Sequence, residues 1–284
     1  MTRALIPTGL GFNCEEESAY AFRRAGAETA VCDIRDLLAG KVDLFSFDAL
    51  MLCGGFTFAD DLGSGKALAN VLRFRLMKTP AGEMPFVDAV RRFVSRGSVV
   101  LGVCNGFQIL TRLGLLPGFA SQDCTLAAND SGRFEDRWVS LKVNPRSACV
   151  ATRGMETMEL PVRHGEGKLV FAPGALERVV AENQHVFQYV DAFGRIAESY
   201  PENPNGSPLA IAGLCDVTGR IIGMMPHPEA HVRFEQHPRW TRIRRACREE
   251  GRAVPEGAGL QVFRNIVTHC QEVRPCETPL SESS

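Results

Sequence analysis

The chain has 284 residues, of which 45% are hydrophobic and 23% are charged, and its formal net charge is −1. This composition is that of a globular domain, and the balanced charge gives no electrostatic reason to expect a nucleic acid or an acidic membrane as a partner. No apolar run approaches the roughly 20 residues that span a bilayer, and the N-terminus has no signal-peptide pattern, so we expect a cytoplasmic protein.

Ten cysteines are distributed along the chain, and no two of them form a Cys-x-x-Cys pair. Cysteine ligands of structural zinc ions usually occur as such closely spaced pairs, so the sequence predicts no metal site. Isolated cysteines remain free thiols in a reducing cytoplasm. We therefore expect free thiols, one of which could serve as a nucleophile.

The N-terminal half alternates short apolar segments with helical patterns. Strands are predicted at residues 4–7, 28–32 and 49–53, with a helix over residues 15–25. Helices are also predicted over residues 66–75 and 85–95. The strand–helix–strand order implies parallel strands, and therefore an α/β fold with a mostly parallel central sheet flanked by helices. A Gly-x-Gly sequence at residues 9–11 lacks the rest of a dinucleotide-binding fingerprint, so no Rossmann cofactor site is predicted.

The strongest functional signal is a switch from strand to helix at Cys104. Residues 99–103 form an apolar, β-branched run typical of a buried parallel strand, and a helical spacing of apolar residues begins after Asn105. Gly102 and Gly106 flank the cysteine, as small residues flank the nucleophile of a Gly-x-Ser-x-Gly elbow. The positive end of the helix dipole favours a thiolate here. Cys104 is therefore predicted to be a nucleophile, although most buried cysteines are inert core residues.

The C-terminal half adds an antiparallel β portion to the fold. Alternating or apolar runs predict strands at residues 137–143, 158–162, 168–171, 186–190, 209–215 and 221–225, with a turn at residues 164–167. A last helix is predicted over residues 259–272. We expect one domain over residues 1–272 and a disordered polar tail over residues 273–284. An arginine-rich insertion at residues 232–257 is either a solvated surface or a docking surface.

A cysteine nucleophile needs a base, and the base needs a group that orients it. Of the six histidines, His227 follows a predicted strand, lies between two prolines and has Glu229 two residues further on. Residues i and i+2 of an extended segment point to the same side, so Glu229 can accept a hydrogen bond from His227. His269 is predicted to lie on the surface of the last helix. The histidines without a partner at an obvious spacing are His185, His231 and His237. The sequence thus predicts a Cys–His–Glu triad, with a surface His–Glu pair as the alternative.

Together these residues resemble the pattern of class I glutamine amidotransferases. Further stretches resemble the glutaminase subunits of phosphoribosylformylglycinamidine synthases, which act in purine biosynthesis. They are residues 54–60 (Gly-Gly-Phe-Thr-Phe-Ala-Asp), 129–134 (Asn-Asp-Ser-Gly-Arg-Phe), 164–167 (His-Gly-Glu-Gly), 200–206 (Tyr-Pro-Glu-Asn-Pro-Asn-Gly) and 224–229 (Met-Met-Pro-His-Pro-Glu). The likeness covers residues 3–270. One departure is at residues 57–60, where the family usually has Ser-Tyr-Gly-Asp.

The resemblance implies a chemistry for these residues. Cys104 attacks the side-chain amide of L-glutamine to form a glutamyl thioester, His227 relays the proton to the leaving ammonia, and Glu229 orients His227. The backbone N–H groups of Gly55 and Asn105 are the candidates for an oxyanion hole. The residues expected to hold the glutamine are Gly54, Phe56, Gln108, His164 and Glu166.

The resemblance also implies a partner, because the ammonia must be used elsewhere. A synthetase subunit would convert formylglycinamide ribonucleotide to formylglycinamidine ribonucleotide with ATP and Mg²⁺, and a third small subunit is a further candidate partner. No phosphate-binding loop is evident in this chain, so no cofactor is expected in it. The alternatives are a glutaminase-like hydrolase that serves another synthetase, or acts on another substrate, and a non-catalytic regulatory scaffold. The intact triad argues against the scaffold.

Overall fold

The structure is a computed structural model that describes residues 1–119 and 122–273. The strands in this part of the chain are β1 (Arg3–Thr8), β2 (Glu28–Asp33), β3 (Ala49–Leu52), β4 (Leu76–Thr79), β5 (Gly82–Pro85), β6 (Val99–Val103), β7 (Cys124–Ala128), β8 (Glu135–Val143), β9 (Thr157–His164), β10 (Glu166–Phe171), β11 (His185–Val190), β12 (Ile211–Cys215) and β13 (Ile221–Met224). The α-helices are α1 (Glu15–Arg24), α2 (Ile34–Leu38), α3 (Lys66–Phe74), α4 (Phe86–Ser95), α5 (Asn105–Arg112), α6 (Ala175–Ala181), α7 (Trp240–Glu249) and α8 (Leu260–Val273).

The main sheet changes from parallel to antiparallel part-way across. Its nine strands lie in the order β2-β1-β3-β6-β13-β12-β11-β8-β9. Neighbours from β2 to β13 pair in parallel, and the remaining neighbours pair antiparallel. Two small antiparallel sheets, β10-β7 and β4-β5, lie outside it. The predicted α/β fold, in which a parallel sheet flanked by helices carries an antiparallel portion, is confirmed.

The hydrophobic core extends along both the parallel and the antiparallel halves of the sheet. Every residue of β6 is buried, as expected for a central strand that is covered on both faces. The helix α8 buries Leu260, Ile266 and Val267, as its apolar spacing predicts. Phe22 of α1 meets Phe263 of α8 edge-on, with ring centroids 5.0 Å apart. The long periodic segments thus form the elements that their patterns indicate.

The sequence patterns miss several short elements, namely α2, β4, β5, β7 and α6. A segment this short does not contain enough turns or alternations to establish a period. The predicted turn at residues 164–167 is wrong in detail, because β9 runs to His164, β10 begins at Glu166, and these strands belong to different sheets. The strand predicted from residue 209 begins later, because Pro208–Ala210 forms a 3-10 turn.

The arginine-rich segment is partly helical and is held by ion pairs. Arg239 Nη2 lies 2.6 Å from Glu159 Oε1 on β9, and Arg244 Nη2 lies 2.9 Å from Glu235 Oε1. The first pair ties this segment to the main sheet. Val273 ends α8, and the rest of the tail predicted for residues 273–284 lies outside the described residues. Within residues 1–119 and 122–273, every helix is too short or too polar to cross a membrane.

Candidate active site

The candidate site lies at the carboxyl ends of three neighbouring strands, β3, β6 and β13. Gly54 follows β3, Cys104 follows β6, and His227 follows β13. A Cβ atom added to Gly54 would lie 2.8 Å from His227 Cε1. Open α/β sheets bind ligands at this edge. The topology therefore gathers residues that are far apart in the sequence.

Cys104 lies at a strained turn between β6 and α5. Its backbone has φ 51° and ψ −106°, which is a region that residues with a side chain rarely adopt. Neither flanking glycine has room for a side chain. A Cβ on Gly106 would lie 1.9 Å from the carbonyl oxygen of Leu52, and one on Gly102 would lie 2.5 Å from Leu110 Cδ1. The elbow expected from the two glycines is present.

His227 and Glu229 form a buried pair. His227 Nδ1 lies 2.6 Å from Glu229 Oε1, and each residue is only 2% exposed. The contact is the one expected, but the extended conformation assumed for it is wrong. Pro228–Ala230 forms a 3-10 turn, and this turn brings the carboxylate back to the imidazole. With Nδ1 engaged by Glu229, Nε2 remains for the nucleophile.

The environment of His227 favours its charged form. Burial alone would lower the pKa of His227, but the Glu229 carboxylate and the nearby thiols of Cys104 and Cys14 raise that pKa well above its usual value. Cys104 is 7% exposed, and its Sγ lies 3.4 Å from the carbonyl oxygen of Arg163. Within the described residues, His227 Nε2 has no hydrogen-bond partner of normal geometry. It is therefore available to exchange a proton with Cys104.

The segment after β3 is anchored on the loop after β1. The carbonyl of Gly54 accepts a hydrogen bond from the Cys14 amide at 3.3 Å, and the Phe56 amide donates to the carbonyl of Gly11 at 2.8 Å. Gly55 packs so closely that an added Cβ would lie 2.4 Å from the Gly11 carbonyl oxygen. The backbone expected to supply one oxyanion donor is thus held in place by a neighbouring loop.

Asn105 and Gln108 belong to a buried polar network at the start of α5. Asn105 Oδ1 accepts a hydrogen bond from Thr57 Oγ1 at 2.8 Å, and its Nδ2 donates to Gln108 Oε1 at 3.0 Å. Gln108 Nε2 donates to the carbonyl of Glu166 at 2.6 Å. Both ends of the Gln108 amide are engaged with protein groups. A contact with glutamine through this amide would replace one of these bonds.

His164 is buried and neutral. Its Nδ1 lies 3.0 Å from Asn129 Oδ1. Burial, followed by the nearby positive charge of His227, lowers the pKa of His164 to about 3. Glu166, two residues further on, accepts a hydrogen bond from the Ser64 amide at 3.1 Å. Glu166 therefore links the start of β10 to the loop that precedes α3, whereas His164, at the end of β9, is held by Asn129.

Aromatic side chains are exposed beside this segment. Phe56 is 46% exposed, and its ring centroid lies 6.3 Å from that of Phe134, which is 53% exposed. Phe58 is also exposed. Clustered apolar rings on a surface are typical of sites where another molecule docks.

The other histidines are more constrained than the sequence indicates. The surface position predicted for His269 is wrong, because it is 5% exposed and its Nε2 lies 3.2 Å from the carbonyl oxygen of Gly97. His237 Nε2 lies 2.8 Å from Glu159 Oε2, and His231 Nδ1 lies 3.0 Å from the backbone oxygen of the same residue. These contacts hold the segment after the His227 turn against β9.

Comparisons with known proteins show the family to which this chain belongs. Residues 1–270 match the family described as the CobB/CobQ-like glutamine amidotransferase domain. The chain belongs to this glutamine amidotransferase family. It is 42% identical over 273 residues to the phosphoribosylformylglycinamidine synthase subunit PurQ of Dehalococcoides mccartyi, covering 95% of this chain and 98% of that protein. The PurQ subunit of Methanococcus maripaludis strain C5 is 39% identical over 274 residues, covering 94% and 98%. The predicted resemblance to these glutaminase subunits is confirmed.

Two more distant comparisons concern a longer protein and a solved structure. The human phosphoribosylformylglycinamidine synthase is 38% identical over 242 residues, which are 78% of this chain and 17% of the human protein. A chain in the structure of PurLQS from Thermotoga maritima has a TM-score of 0.66 at 24% identity, covering 94% of this chain and 98% of that chain. At this identity, the second comparison bears on the fold alone.

Cys14 lies beside the candidate site, and the sequence patterns do not reveal its position there. It directly precedes α1 and is 8% exposed. Its Sγ, a ring nitrogen of His227 and a carboxylate oxygen of Glu229 all lie within 4.8 Å of one another, so these three residues could hold a metal ion. The only signal in the sequence is that Cys14 comes shortly after the first predicted strand, which lies next to β3 in the sheet. That signal becomes useful only when the strand order is known.

Proposed function

We propose that this chain is the glutaminase subunit of a phosphoribosylformylglycinamidine synthase. It hydrolyses L-glutamine and passes the ammonia to a synthetase subunit, which converts formylglycinamide ribonucleotide to formylglycinamidine ribonucleotide in purine biosynthesis. The observation that carries the proposal is the 2.6 Å contact of His227 with Glu229, next to Cys104 on its strained turn. Identities of 42% and 39% to PurQ subunits over nearly the full length support this particular reaction.

The mechanism starts from a thiolate at Cys104 and an imidazolium at His227, a pair that the raised pKa of His227 favours. The thiolate attacks the amide carbon of the glutamine side chain. The imidazolium then donates its Nε2 proton to the amide nitrogen, the C–N bond breaks, and ammonia leaves. Water next attacks the glutamyl thioester with His227 as base, which releases glutamate and restores Cys104. One glutamine and one water give one glutamate and one ammonia.

The surrounding groups stabilise and orient these species. Glu229 holds the imidazole so that Nε2 points away from the carboxylate. Asn105 is the first residue of α5, and the first amides of a helix have no carbonyl partner within it, so its N–H suits a developing oxyanion. Gly55 supplies the second donor in this proposal. The candidates for holding the glutamine remain Gly54, Phe56, Gln108, His164 and Glu166.

ATP and Mg²⁺ belong to the synthetase partner in this proposal, because the chain has no phosphate-binding loop in its sequence. The exposed rings of Phe56 and Phe134 beside the site suit the docking of that partner. The relatives from Dehalococcoides and Methanococcus are themselves named as subunits. We place the complex in the cytoplasm, where reducing conditions suit the cysteines, which are free thiols throughout the described ranges.

The decisive experiment compares glutamine and ammonium as nitrogen donors. The chain is combined with its synthetase partner, formylglycinamide ribonucleotide and ATP, and formation of the amidine is measured. Cys104→Ser is expected to reduce the glutamine-dependent rate by about 10³-fold or more and to leave the ammonium-dependent rate unchanged. Loss of both rates would instead show that Cys104 has a structural role.

Cys32→Ser is the matched control. This thiol lies on β2, and burial followed by the nearby Asp36 and Asp33 raises the pKa of Cys32 to about 11, so it is a poor nucleophile. Both rates should survive this substitution. Glutamine hydrolysis without any amidine formation would point to another synthetase as partner. Absence of glutamine hydrolysis, even with the loaded partner, would favour the regulatory scaffold.

A further inference from the structure

The loop after β1 contains the Gly-x-Gly sequence at residues 9–11, which has no role in the proposed mechanism. This loop is bound to the segment after β3, because the Gly54 carbonyl accepts hydrogen bonds from the amides of Asn13 and Cys14 at 3.1 and 3.3 Å. The Phe58 amide also donates to the carbonyl of Leu10 at 2.8 Å. The loop therefore fixes Cys14 at the edge of the sheet where His227 lies.

Cys14 shares a small buried space with the His227–Glu229 pair. The relative exposures of these residues are 8% for Cys14 and 2% for each of the other two. Their sulfur, nitrogen and oxygen atoms lie within 4.8 Å of one another. Gly54 leaves this space open, because an added Cβ there would lie 3.2 Å from Cys14 Sγ and 3.5 Å from His227 Nδ1. Cys14 Sγ and His227 Nδ1 thus lie on either side of the same position, although Sγ donates to Asn13 Oδ1 at 3.3 Å and Nδ1 contacts Glu229.

Two atoms of this group have no partner within the described part of the chain. Glu229 Oε2 and His227 Nε2 are both buried without a hydrogen bond. A buried carboxylate oxygen normally has a donor or a cation next to it, because leaving it unpaired costs free energy. Glu229 Oε2 is therefore a candidate ligand atom for a cation.

We propose that Cys14, His227 and Glu229 form a binding site for a divalent cation that accepts mixed sulfur, nitrogen and oxygen ligands, such as Zn²⁺, and that the bound ion stops glutamine hydrolysis. Thiolate, imidazole and carboxylate are the ligands that Zn²⁺ takes in proteins. One thiolate and one carboxylate would neutralise its two charges. The inhibitory part of this proposal rests on the function proposed above, whereas the binding part does not.

The exchange of protons explains why the bound ion is inhibitory. The cation replaces the thiol proton of Cys14 and the Nδ1 proton of His227, and both protons go to water. A neutral imidazole has one nitrogen with a free lone pair. When the cation takes the lone pair at Nδ1, the remaining proton stays on Nε2. The metal-bound ring is therefore not the imidazolium that pairs with the Cys104 thiolate. Donating its Nε2 proton to the amide nitrogen would leave a metal-bound imidazolate, which is unfavourable, and Glu229 no longer orients the ring.

Metal binding is tested with Co²⁺ as a spectroscopic substitute for Zn²⁺, because thiolate ligation gives a charge-transfer absorption. The full chain carrying Cys104→Ser is titrated first, so that the nucleophile cannot contribute. We expect one Co²⁺ per chain with this absorption, and competition by Zn²⁺. Adding Cys14→Ser should abolish the absorption or weaken binding by at least about tenfold, whereas adding Cys32→Ser should change neither.

Because Cys14→Ser would also lose binding if it misfolded, Glu229→Gln in the Cys104→Ser chain is a second test of the site. It should weaken Co²⁺ binding while the thiolate absorption persists, because Cys14 remains. The proposal is overturned if Cys14→Ser binds Co²⁺ as tightly as its parent, or if the absorption is already lost in the Cys104→Ser chain. The second result would mean that the metal uses the nucleophile itself.

Inhibition is tested on the chain with Cys104 intact. Zn²⁺ should reduce glutaminase activity, a chelator should restore it, and Cys14→Ser should raise the inhibitory Zn²⁺ concentration by at least about tenfold relative to Cys32→Ser. Equal sensitivity of the two variants would reject Cys14 as a ligand. Metal binding without inhibition would reject the inhibitory part of the proposal, but the binding part would stand. If the chain binds Co²⁺ through Cys14 but shows no glutaminase activity even with the loaded synthetase partner, the proposed function alone is rejected.

Discussion

The loop that follows Gly54 contains three consecutive non-glycine residues in the left-handed region of backbone space. They are Phe58, Ala59 and Asp60, with φ of 55°, 55° and 54°. Ala59 stands where the family usually has glycine, and it is exposed, so its methyl group contributes little burial. The change Ala59→Gly should therefore stabilise the protein.

The magnitude follows from two opposing terms. The left-handed conformation destabilises a residue with a Cβ atom by roughly 1–2 kcal/mol, whereas glycine adopts it without this cost. Glycine has more conformational freedom than alanine in the unfolded chain, and losing that freedom lowers the stability of the folded protein by about 0.5–1 kcal/mol. The net gain expected for Ala59→Gly is about 0.5–1 kcal/mol. The loop keeps its shape in the variant, because the Ala59 amide donates to the Phe56 carbonyl at 2.9 Å and Ser64 Oγ donates to Asp60 Oδ2 at 3.0 Å.

The assay is urea unfolding of the full chain, supported by a thermal melt in which the midpoint should rise by about 1–3 °C. Ala246→Gly is the matched control, because Ala246 is half-buried in the middle of the right-handed helix α7. That change should destabilise the protein by about 0.5–1 kcal/mol. If both variants lose stability equally, the reasoning is wrong and residue 59 does not adopt the left-handed conformation in solution.

Two further predictions concern the histidines of the site. His227→Ala should lower kcat/KM for glutamine by about 10²–10⁴-fold, and Glu229→Ala by less, because Glu229 orients the ring without transferring the proton. Steady-state glutaminase kinetics measure both, and an equal or larger loss for Glu229→Ala would reject the assigned roles. The pKa of His164 is about 3 in the folded protein, whereas its ordinary value is 6.5. Between these two pH values the unfolded chain binds a proton that the folded chain does not. The stability that the neutral ring provides above pH 6.5 is therefore lost as the pH falls. Going from pH 7 to pH 5 should cost about 2 kcal/mol through this residue. His164→Gln should remove that part of the acid sensitivity in urea titrations at the two pH values, and an unchanged pH dependence would show that His164 is not buried as a neutral ring.

The elements that could be predicted from the sequence are those with a clear helical period or with a continuous run of apolar residues. The pattern around β6 and α5 is of this kind, as is the apolar spacing of α8. The strands β3 and β13 have only four residues each, but all of them are buried, whereas β4 and β5, of the same length, are largely exposed and lack an apolar run. Periodicity reports which side of a segment is buried, and a very short segment does not have two distinguishable sides.

The sequence alone predicted Cys104 as the nucleophile and Glu229 as the partner of His227, because both predictions depend on residues close together along the chain. The glycines around Cys104 specify a tight strand-to-helix turn, and Glu229 is two residues from His227 along the chain. Tertiary structure was needed wherever a side chain meets a segment distant in sequence. His269 illustrates this, since its burial depends on the Gly97 carbonyl, which belongs to a remote turn.

Cys14 shows the limit most clearly. Nothing in the residues around it distinguishes it from the other free thiols. It approaches His227 only because β1 lies next to β3 in the sheet, β6 lies between β3 and β13, and His227 follows β13. The order of parallel strands is set by how whole elements cover one another's apolar faces, which no short stretch of sequence encodes. The sequence therefore determined the strand-to-helix turn at Cys104 and the short spacing of His227 and Glu229, and the packing of the sheet decided what else surrounds His227.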